Sequence, residues 1–142
     1  MNLAPTDAVM PGVAHASRDL HGQPVQLHLD LDVDPRQEQE MIRVFHEIFQ
    51  PTIARQPGFV GSALMKLCQA TVSQSPTKVS HRLVISFNTD EQRRIWVATA
   101  DHERVWRLIT ACLKEARFDA LLYELVGKVM VGGRTRNPAV RR

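Results

Sequence analysis

The sequence predicts an α+β fold in which one antiparallel sheet carries helices on one of its faces. Its 142 residues suffice for a single domain with a sizeable core. Residues 25–33 alternate strictly between aliphatic and polar side chains, which is the period of a strand with one buried face. Strand and helix patterns then follow in the order βαββαβ. That order is typical of the ferredoxin-like plait.

The first predicted strand leads directly into a helix. Asp34 is an N-cap residue, and Pro35 takes the first helical position, where a missing N–H is tolerated. Apolar residues at helical spacing, Phe45 among them, continue past residue 50. Because Pro51 lies inside this pattern, we expect it to kink or end the helix near that point.

The other strands are predicted at residues 59–67, 81–87 and 120–131, with a long polar hairpin loop at 69–80. Alternation places one set of side chains from the second and fourth strands under the helices: Phe59, Ala63, Met65, Leu67, Leu121, Tyr123 and Leu125.

The opposite face of the sheet is predicted to mix polar and aliphatic side chains. Its residues are Gln26, His28, Asp30, Asp32, Val60, Ser62, Leu64, Lys66, Arg82, Val84, Ser86, Leu122, Glu124 and Val126. Such a face is too apolar for full solvation and too polar for a dry core. We therefore expect a second copy of the chain to cover it, giving a homodimer through the sheet face.

Residues 89–113 are predicted to hold two short helices. Thr89 and Gln92 have the spacing of a capping box, in which the hydroxyl caps the first turn and the glutamine reaches back. Thr99 or Asp101 can cap the second helix. Both tryptophans of the protein lie in this stretch, so it is the best candidate for one wall of a small-molecule pocket.

Aromatic side chains and one histidine are the candidate site residues. His102 has a type of side chain that suits proton transfer near neutral pH, although a first-turn histidine also commonly binds its own helix or water. Trp96 and Trp106 either stack on a flat substrate or belong to the core. Phe45 and Tyr123 complete the aromatic set that we expect around a ligand.

A polar trio on neighbouring strands is a second possibility. His28, Asp30 and Arg82 either form a polar site within a barrel or a structural network across the strands, and we favour the network. The six histidines show no HxH or HxxxH pair, and neither cysteine neighbours a histidine. The sequence therefore indicates no metal and no other bound cofactor.

Charge and composition exclude several classes of protein. The net charge is +3, but residues 134–142 hold four arginines, and removing these leaves −1 for residues 1–133. With this charge, residues 1–133 are not expected to form a basic surface that binds nucleic acid. The two cysteines have no CxxC spacing, which favours reduced thiols in the cytoplasm. No apolar stretch approaches the length of a membrane span.

The domain is predicted to occupy residues 25–131. Residues 1–24 are rich in proline and glycine and read either as a leader or as an arm across a partner subunit. Residues 132–142 follow a Gly-Gly pair and form a basic C-terminal tail.

A known family shares several of these features. They are the turn Pro57-Gly58-Phe59 into the second strand, a strand that ends in Phe87, and a capped helix with Trp96 followed by His102. With them the chain resembles the antibiotic-biosynthesis-monooxygenase-like group of dimeric α/β barrels, over roughly residues 25–127. The resemblance implies a homodimer whose two sheets together form the barrel.

The same resemblance implies two possible functions. One is a small-molecule monooxygenase that oxidises an aromatic or polyketide-like substrate without metal or flavin. The other is a non-catalytic small-ligand-binding or stress-related barrel. An open pocket lined by His102 would favour the enzyme, and a cavity filled by Phe45, Trp96 and Trp106 would favour the alternative.

Haem degradation is a further activity of this group. In its haem-degrading members an iron-binding histidine follows the helix tryptophan by ten residues, and an asparagine lies on the first strand. Ten residues after Trp96 this chain has Trp106, and residues 25–33 contain no asparagine. We therefore do not expect haem degradation.

Overall fold

The computed structural model describes Leu20, residues 22–72 and residues 79–128, which contain a four-stranded antiparallel sheet. Its strands are β1 (Val25–Val33), β2 (Phe59–Lys66), β3 (His81–Phe87) and β4 (Leu113–Glu124). They lie in the order β2-β3-β1-β4, so that β1 and β3 are central. The predicted ferredoxin-like βαββαβ fold is confirmed.

The ends of the chain contribute little to the described structure. Leu20 is half-buried and packs against the core. Three parts of the chain lie outside the described residues. They are residues 1–19 and 21 of the predicted leader, residues 73–78 of the hairpin loop, and residues 129–142, which hold the end of the predicted fourth strand and the basic tail.

The connection from β1 to β2 is one long helical segment with a local irregularity. It comprises a 3-10 turn (Pro35–Gln37), helix α1 (Glu38–Val44), a π-helical segment (Phe45–Phe49) and helix α2 (Gln50–Ile53).

Two features of this segment, its start and its course through Pro51, can be explained from the sequence. The Asp34 carboxylate accepts a hydrogen bond of 2.9 Å from the Arg36 amide, which confirms the predicted N-cap. Pro51 was expected either to kink the helix or to end it near residue 50. The helix does not end there. The amide of Gln50 instead bonds the carbonyl of Phe45 five residues back, and this π-helical widening accommodates Pro51 before the helix continues.

Helices α3 (Asp90–Val97) and α4 (Ala100–Thr110) connect β3 to β4. The Thr89 hydroxyl accepts from the Gln92 amide at 3.2 Å, and the Thr99 hydroxyl accepts from the His102 amide at 3.0 Å. Both predicted N-caps are confirmed. The second half of the capping box is absent, because the buried Oε1 of Gln92 has no partner among the described residues and the side chain lies against Gly58.

The core lies between the helices and one face of the central strands. Its strand residues include Val25, Leu29, Leu31, Leu83, Ile85 and Phe87, and its helix residues include Met41, Val44, Phe49, Ile53, Trp96, Val105 and Ile109. Full burial of one such aliphatic or aromatic side chain stabilises the fold by about 1.5–3 kcal/mol. The strict alternation in β1 thus decides which face the helices cover.

The edge strand β2 begins as predicted, with Phe59 facing the core, but its later residues present the opposite side chains. Its register shifts between Phe59 and Gly61, and after this bulge Ser62 pairs with Ile85. Directly paired residues share a face of the sheet. The side chains under the helices are therefore Ser62, Leu64 and Lys66, while Ala63 and Met65 lie on the open face. One extra residue reverses every later side chain of the strand.

The other edge strand, β4, was also predicted incorrectly. It begins at Leu113 instead of residue 120 and ends at Glu124. Ala120 pairs with Leu29 and faces the helices, whereas Tyr123 pairs with Gln26 and lies on the open face with Leu121.

An irregular stretch near the start of β4 explains this error. Leu113 pairs with Val33 and Phe118 with Leu31, so four residues of β4 bulge out opposite one residue of β1. Glu115 and Ala116 there have φ angles of 54° and 53°. Neither is a residue type that favours positive φ, so sequence patterns gave no sign of the bulge.

Gly58→Ala is expected to destabilise the fold by at least about 1 kcal/mol. Gly58 has a φ of 81°, and an added methyl group would collide with the side chain of Gln92. Gly61→Ala is the matched control, since a Cβ there would meet no atom within 4 Å and its φ is not in the left-handed region. The control should be neutral or stabilising by up to about 1 kcal/mol. Urea unfolding of both variants measures the difference, and equal stabilities would contradict the argument.

Candidate functional site

A cavity of about 180 Å³ lies between the helix-covered face of the sheet and the α3–α4 pair. Leu27, Leu29, Ile85 and Ala120 line it from the sheet, and Trp96, His102 and Trp106 line it from the two helices. The exposed side chains of Val97 and Phe118 also belong to the lining, so this end of the cavity reaches the surface. The cavity is apolar over most of its lining.

His102 lies on the cavity wall in the first turn of α4. Its position is fixed by the Thr99 cap and by an edge-on contact with Trp96, in which the ring centroids are 5.3 Å apart and the planes meet at 87°. Neither ring nitrogen of this half-buried histidine bonds a residue that the structure describes. Its imidazole is therefore available to a ligand.

Two effects lower the pKa of His102 below its usual value. The larger is burial, which disfavours the charged imidazolium, and the second is the positive charge of Arg93, while Glu103 acts in the opposite direction. The imidazole is consequently neutral at neutral pH. In that state it can accept a proton or a hydrogen bond.

Arg93 is held on the cavity lining by a buried ion pair. Its Nε lies 2.6 Å from Oδ1 of Asp90, a carboxylate with 0% exposure. Arg94 donates from its own Nε to the other oxygen of Asp90 at 2.8 Å. Asp90 thus fixes two guanidinium groups, of which Arg93 is the more buried and Arg94 is largely exposed.

The predicted aromatic residues are divided between the cavity and other places. Trp96 is 2% exposed and belongs to both the core and the lining, and half-buried Trp106 packs edge-on against Phe118 at 4.9 Å. Phe45 is buried in the π-helical segment and does not line the cavity. Tyr123 lies on the opposite face of the sheet. Neither is in place to touch a ligand in this cavity.

Sequence reasoning named three of the lining residues and missed the others, among them Phe49, Arg93 and Phe118. Phe118 was missed because β4 begins at Leu113, well before residue 120, where the fourth strand was predicted to start, and Phe49 was not named as a site residue. Arg93 had a readable signal: it lies three residues after Asp90 and three before Trp96, so it shares their side of α3.

The polar trio on the open face consists of an ion pair and a histidine with separate partners. Arg82 makes a two-pronged ion pair with Asp30, at 2.6 and 3.2 Å. His28 bonds Gln26 through Nε2 at 2.8 Å and packs against the ring of Tyr123 with 4.5 Å between centroids. The trio is separated from the cavity by the sheet, so it takes no part in that site.

Several other kinds of site can be assessed in the described residues. They contain no group of three or more His, Cys, Asp or Glu side chains that could hold a metal ion. Cys68 is exposed and Cys112 is buried, and the two are unpaired. Among the described helices, none has the length and apolar character that crossing a membrane requires.

Comparison with known proteins identifies the same fold elsewhere. A "putative antibiotic biosynthesis monooxygenase" from Bordetella bronchiseptica is similar with a TM-score of 0.59 and 19% identity, covering 76% of this chain and 99% of that one. The cofactor-independent oxygenase SnoaB from Streptomyces nogalater, as the N63A mutant, gives a TM-score of 0.57 and 17% identity, covering 75% and 97%. A dimeric ferredoxin-like protein of unknown function from Jannaschia gives 0.55 and 11%, covering 72% and 97%.

These similarities show a shared fold. The chain resembles the antibiotic-biosynthesis-monooxygenase-like proteins in structure. No protein-family model matches the sequence, and no curated protein matches it either.

We expect His102 to titrate below the usual histidine value of about 6.5. Removing the nearby cation in Arg93→Gln should raise this pKa, because one of the two effects that lower it is then gone. NMR titration of the imidazole resonances measures both values. A wild-type pKa at or above the usual value would contradict the described environment.

Proposed function

We propose that the protein is a small-molecule monooxygenase that oxidises an aromatic substrate held in the α3–α4 cavity, with His102 as the base. One observation carries this proposal: a neutral, half-buried imidazole without a protein hydrogen bond among the described residues lines an apolar cavity walled by two indoles. A cavity filled by its own aromatic side chains would have favoured the non-catalytic alternative, whereas this cavity stays open at about 180 Å³. An open cavity also suits a non-catalytic ligand-binding protein, which the experiment below distinguishes.

The chemistry requires a substrate that can itself reduce dioxygen. A neutral imidazole can remove the proton of a phenol, and the resulting phenolate places negative charge on a ring carbon. That carbon donates electrons to dioxygen and forms a C–O bond. The second oxygen atom leaves as water with the phenolic proton and the hydrogen of that carbon, so a phenol and O₂ give a quinone and water. The substrate supplies all the electrons.

The protein's contribution in this scheme is placement and environment. The apolar lining excludes water from the reacting anion, which strengthens the electrostatic effect of the few polar groups present. The indoles of Trp96 and Trp106 offer flat surfaces against which an aromatic ring can stack.

His102→Ala is expected to lower turnover by about 10²- to 10⁴-fold, the usual contribution of a general base. The variant should be less stable by about 1 kcal/mol, because the substitution removes the edge-on pairing of the imidazole with the Trp96 indole. His46→Ala is the matched control, since His46 is exposed on the first helical segment and outside the cavity lining.

The measurement is oxygen consumption with a panel of phenols, above the rate without protein. Wild-type protein without turnover of any phenol, or a His102→Ala variant with undiminished turnover, would refute the proposed function. The first result combined with binding of the same phenols would favour a non-catalytic ligand-binding protein.

We further propose that the protein is a homodimer whose sheets pack through their open faces, as the fold resemblance implies. Met65, Leu121 and Tyr123 lie on this face with exposed fractions of 45%, 40% and 48%. Exposed apolar side chains thus lie on both edge strands of this face, and a second copy would remove them from water. The similar Jannaschia protein is described as dimeric.

Val84→Asp is expected to break this dimer. Val84 pairs with His28 and Ala63 on the open face, so the substitution puts an unpaired charge into the proposed interface. Ile95→Asp is the control, because Ile95 is 55% exposed on α3 and lies away from the sheet. Sedimentation at micromolar concentration should give twice the 16.1 kDa chain mass for wild type and control. A wild-type monomer, or a dimeric Val84→Asp variant, would contradict this interface.

A further inference from the structure

The lining of the α3–α4 cavity carries a charged side chain, which an entirely apolar ligand would not need. Among the described residues that line it, Arg93 is the charged one and His102 is the other ionisable one. Arg93 lies one turn before Trp96 on the same side of α3, and the His102 imidazole packs edge-on against the Trp96 ring with 5.3 Å between centroids. The two polar groups are therefore at the same end of the cavity.

The guanidinium of Arg93 has N–H donors that bond no described residue. An arginine carries five N–H donors, and the bond that Arg93 makes to a described residue uses Nε alone, toward Asp90. Asp90 is shared with Arg94, so two positive charges meet one negative charge. Together, Asp90, Arg93 and Arg94 carry a net charge of +1. A negative ligand group beside Arg93 would balance it.

The size of the cavity restricts the rest of the ligand. An engineered cavity of about 150 Å³ lined by leucine, isoleucine and phenylalanine side chains is known to hold benzene. At about 180 Å³ this cavity has room for one aromatic ring with small substituents. Of a fused system of three or more rings, only part would lie inside the cavity, and the rest would extend through its open end.

From these observations we infer that the cavity takes a single-ring aromatic molecule with an anionic oxygen, and that Arg93 binds this oxygen. The inference rests on the cavity of the proposed function and names its substrate class. A phenol would be held as its phenolate, with the oxygen toward Arg93 and His102 and the ring between the indoles and the sheet.

The ionisation of a bound phenol tests the inference without any turnover. An apolar cavity by itself disfavours a bound anion, whereas a cation beside the oxygen favours it. 4-Nitrophenol suits the test, since it has one ring and its two ionisation states differ in absorption. With free ligand half ionised, adding excess protein is expected to increase the ionised fraction, because phenolate should bind about tenfold or more tighter than phenol.

A decrease in the ionised fraction, or no change, would overturn the inference. So would the failure of 4-nitrophenolate to bind at millimolar concentration in calorimetry. This wild-type measurement does not depend on the behaviour of any variant.

Two matched substitutions then test the role of Arg93. Arg93→Gln removes the charge while its amide can still donate to Asp90, which also keeps Arg94 as a partner. We expect it to abolish the gain in ionised ligand and to leave binding of neutral 4-nitroanisole unchanged. Arg94→Gln removes the same charge from the same carboxylate, but Arg94 is 62% exposed and outside the cavity lining, so the gain should persist.

An Arg93→Gln variant that keeps the gain would show that another group holds the oxygen. The outcome is independent of the oxygenase proposal. A phenolate preference that depends on Arg93 would stand even if no phenol is turned over, and His102-dependent turnover would stand even if this preference is absent.

Discussion

The buried carboxylate of Asp90 is the interaction on which the arrangement of the cavity depends. Its exposure is 0%, and a charge so placed is tolerated only when it is paired and hydrogen-bonded. Arg93 and Arg94 supply the pairing, at 2.6 and 2.8 Å. The amide of Asp90 also bonds the carbonyl of Gln23 at 3.1 Å, which ties the start of α3 to the segment before β1. Through this one residue the start of α3, the cation on the cavity lining and the lowered pKa of His102 are linked.

The elements that depend only on residues close in the sequence could be predicted from it. The alternation of residues 25–33, the Asp34 cap with Pro35, and the hydroxyl caps at Thr89 and Thr99 each depend on neighbours within about four residues. Each has the predicted form in the structure. These signals locate β1 and the starts of the helical segments that follow β1 and β3.

The faces of the edge strands could not be predicted in the same way. Strand periodicity fixes relative facing only while the register is unbroken, and β2 has a bulge next to its first residue. In β4 two residues with positive φ, Glu115 and Ala116, break the register to β1. The side-chain types of these two residues do not predict the bulge, because it is determined by the pairing of β4 with β1, which is distant in sequence. For this reason Tyr123 was assigned to the cavity side.

The candidate site was predictable to the extent that it is local. Trp96, His102 and Trp106 lie within eleven positions of one another. Helical spacing puts His102 and Trp106 on one side of α4, and the two-residue connection after Val97 keeps Trp96 beside them. Phe118 and Ala120 reach the same cavity only through the register of β4 with β1. Arg93 was missed for a different reason: its carboxylate partner was visible in the sequence, but burial of that carboxylate was not.

In the proposed reaction, the pairing of a base with a cation resolves an apparent conflict. Arg93 weakens His102 as a base by lowering its pKa. Proton transfer, however, also creates a phenolate, and a cation about 4 Å from an anion stabilises it by about 4 kcal/mol at an effective dielectric constant of about 20. The phenolate would lie between the imidazolium and the guanidinium, so both cations are attracted to it while they repel each other once. Two attractions outweigh one repulsion of similar distance, and an apolar lining increases all three. The same arrangement would therefore favour deprotonation of a phenol. It would give little electrostatic stabilisation to a neutral ring without an acidic group.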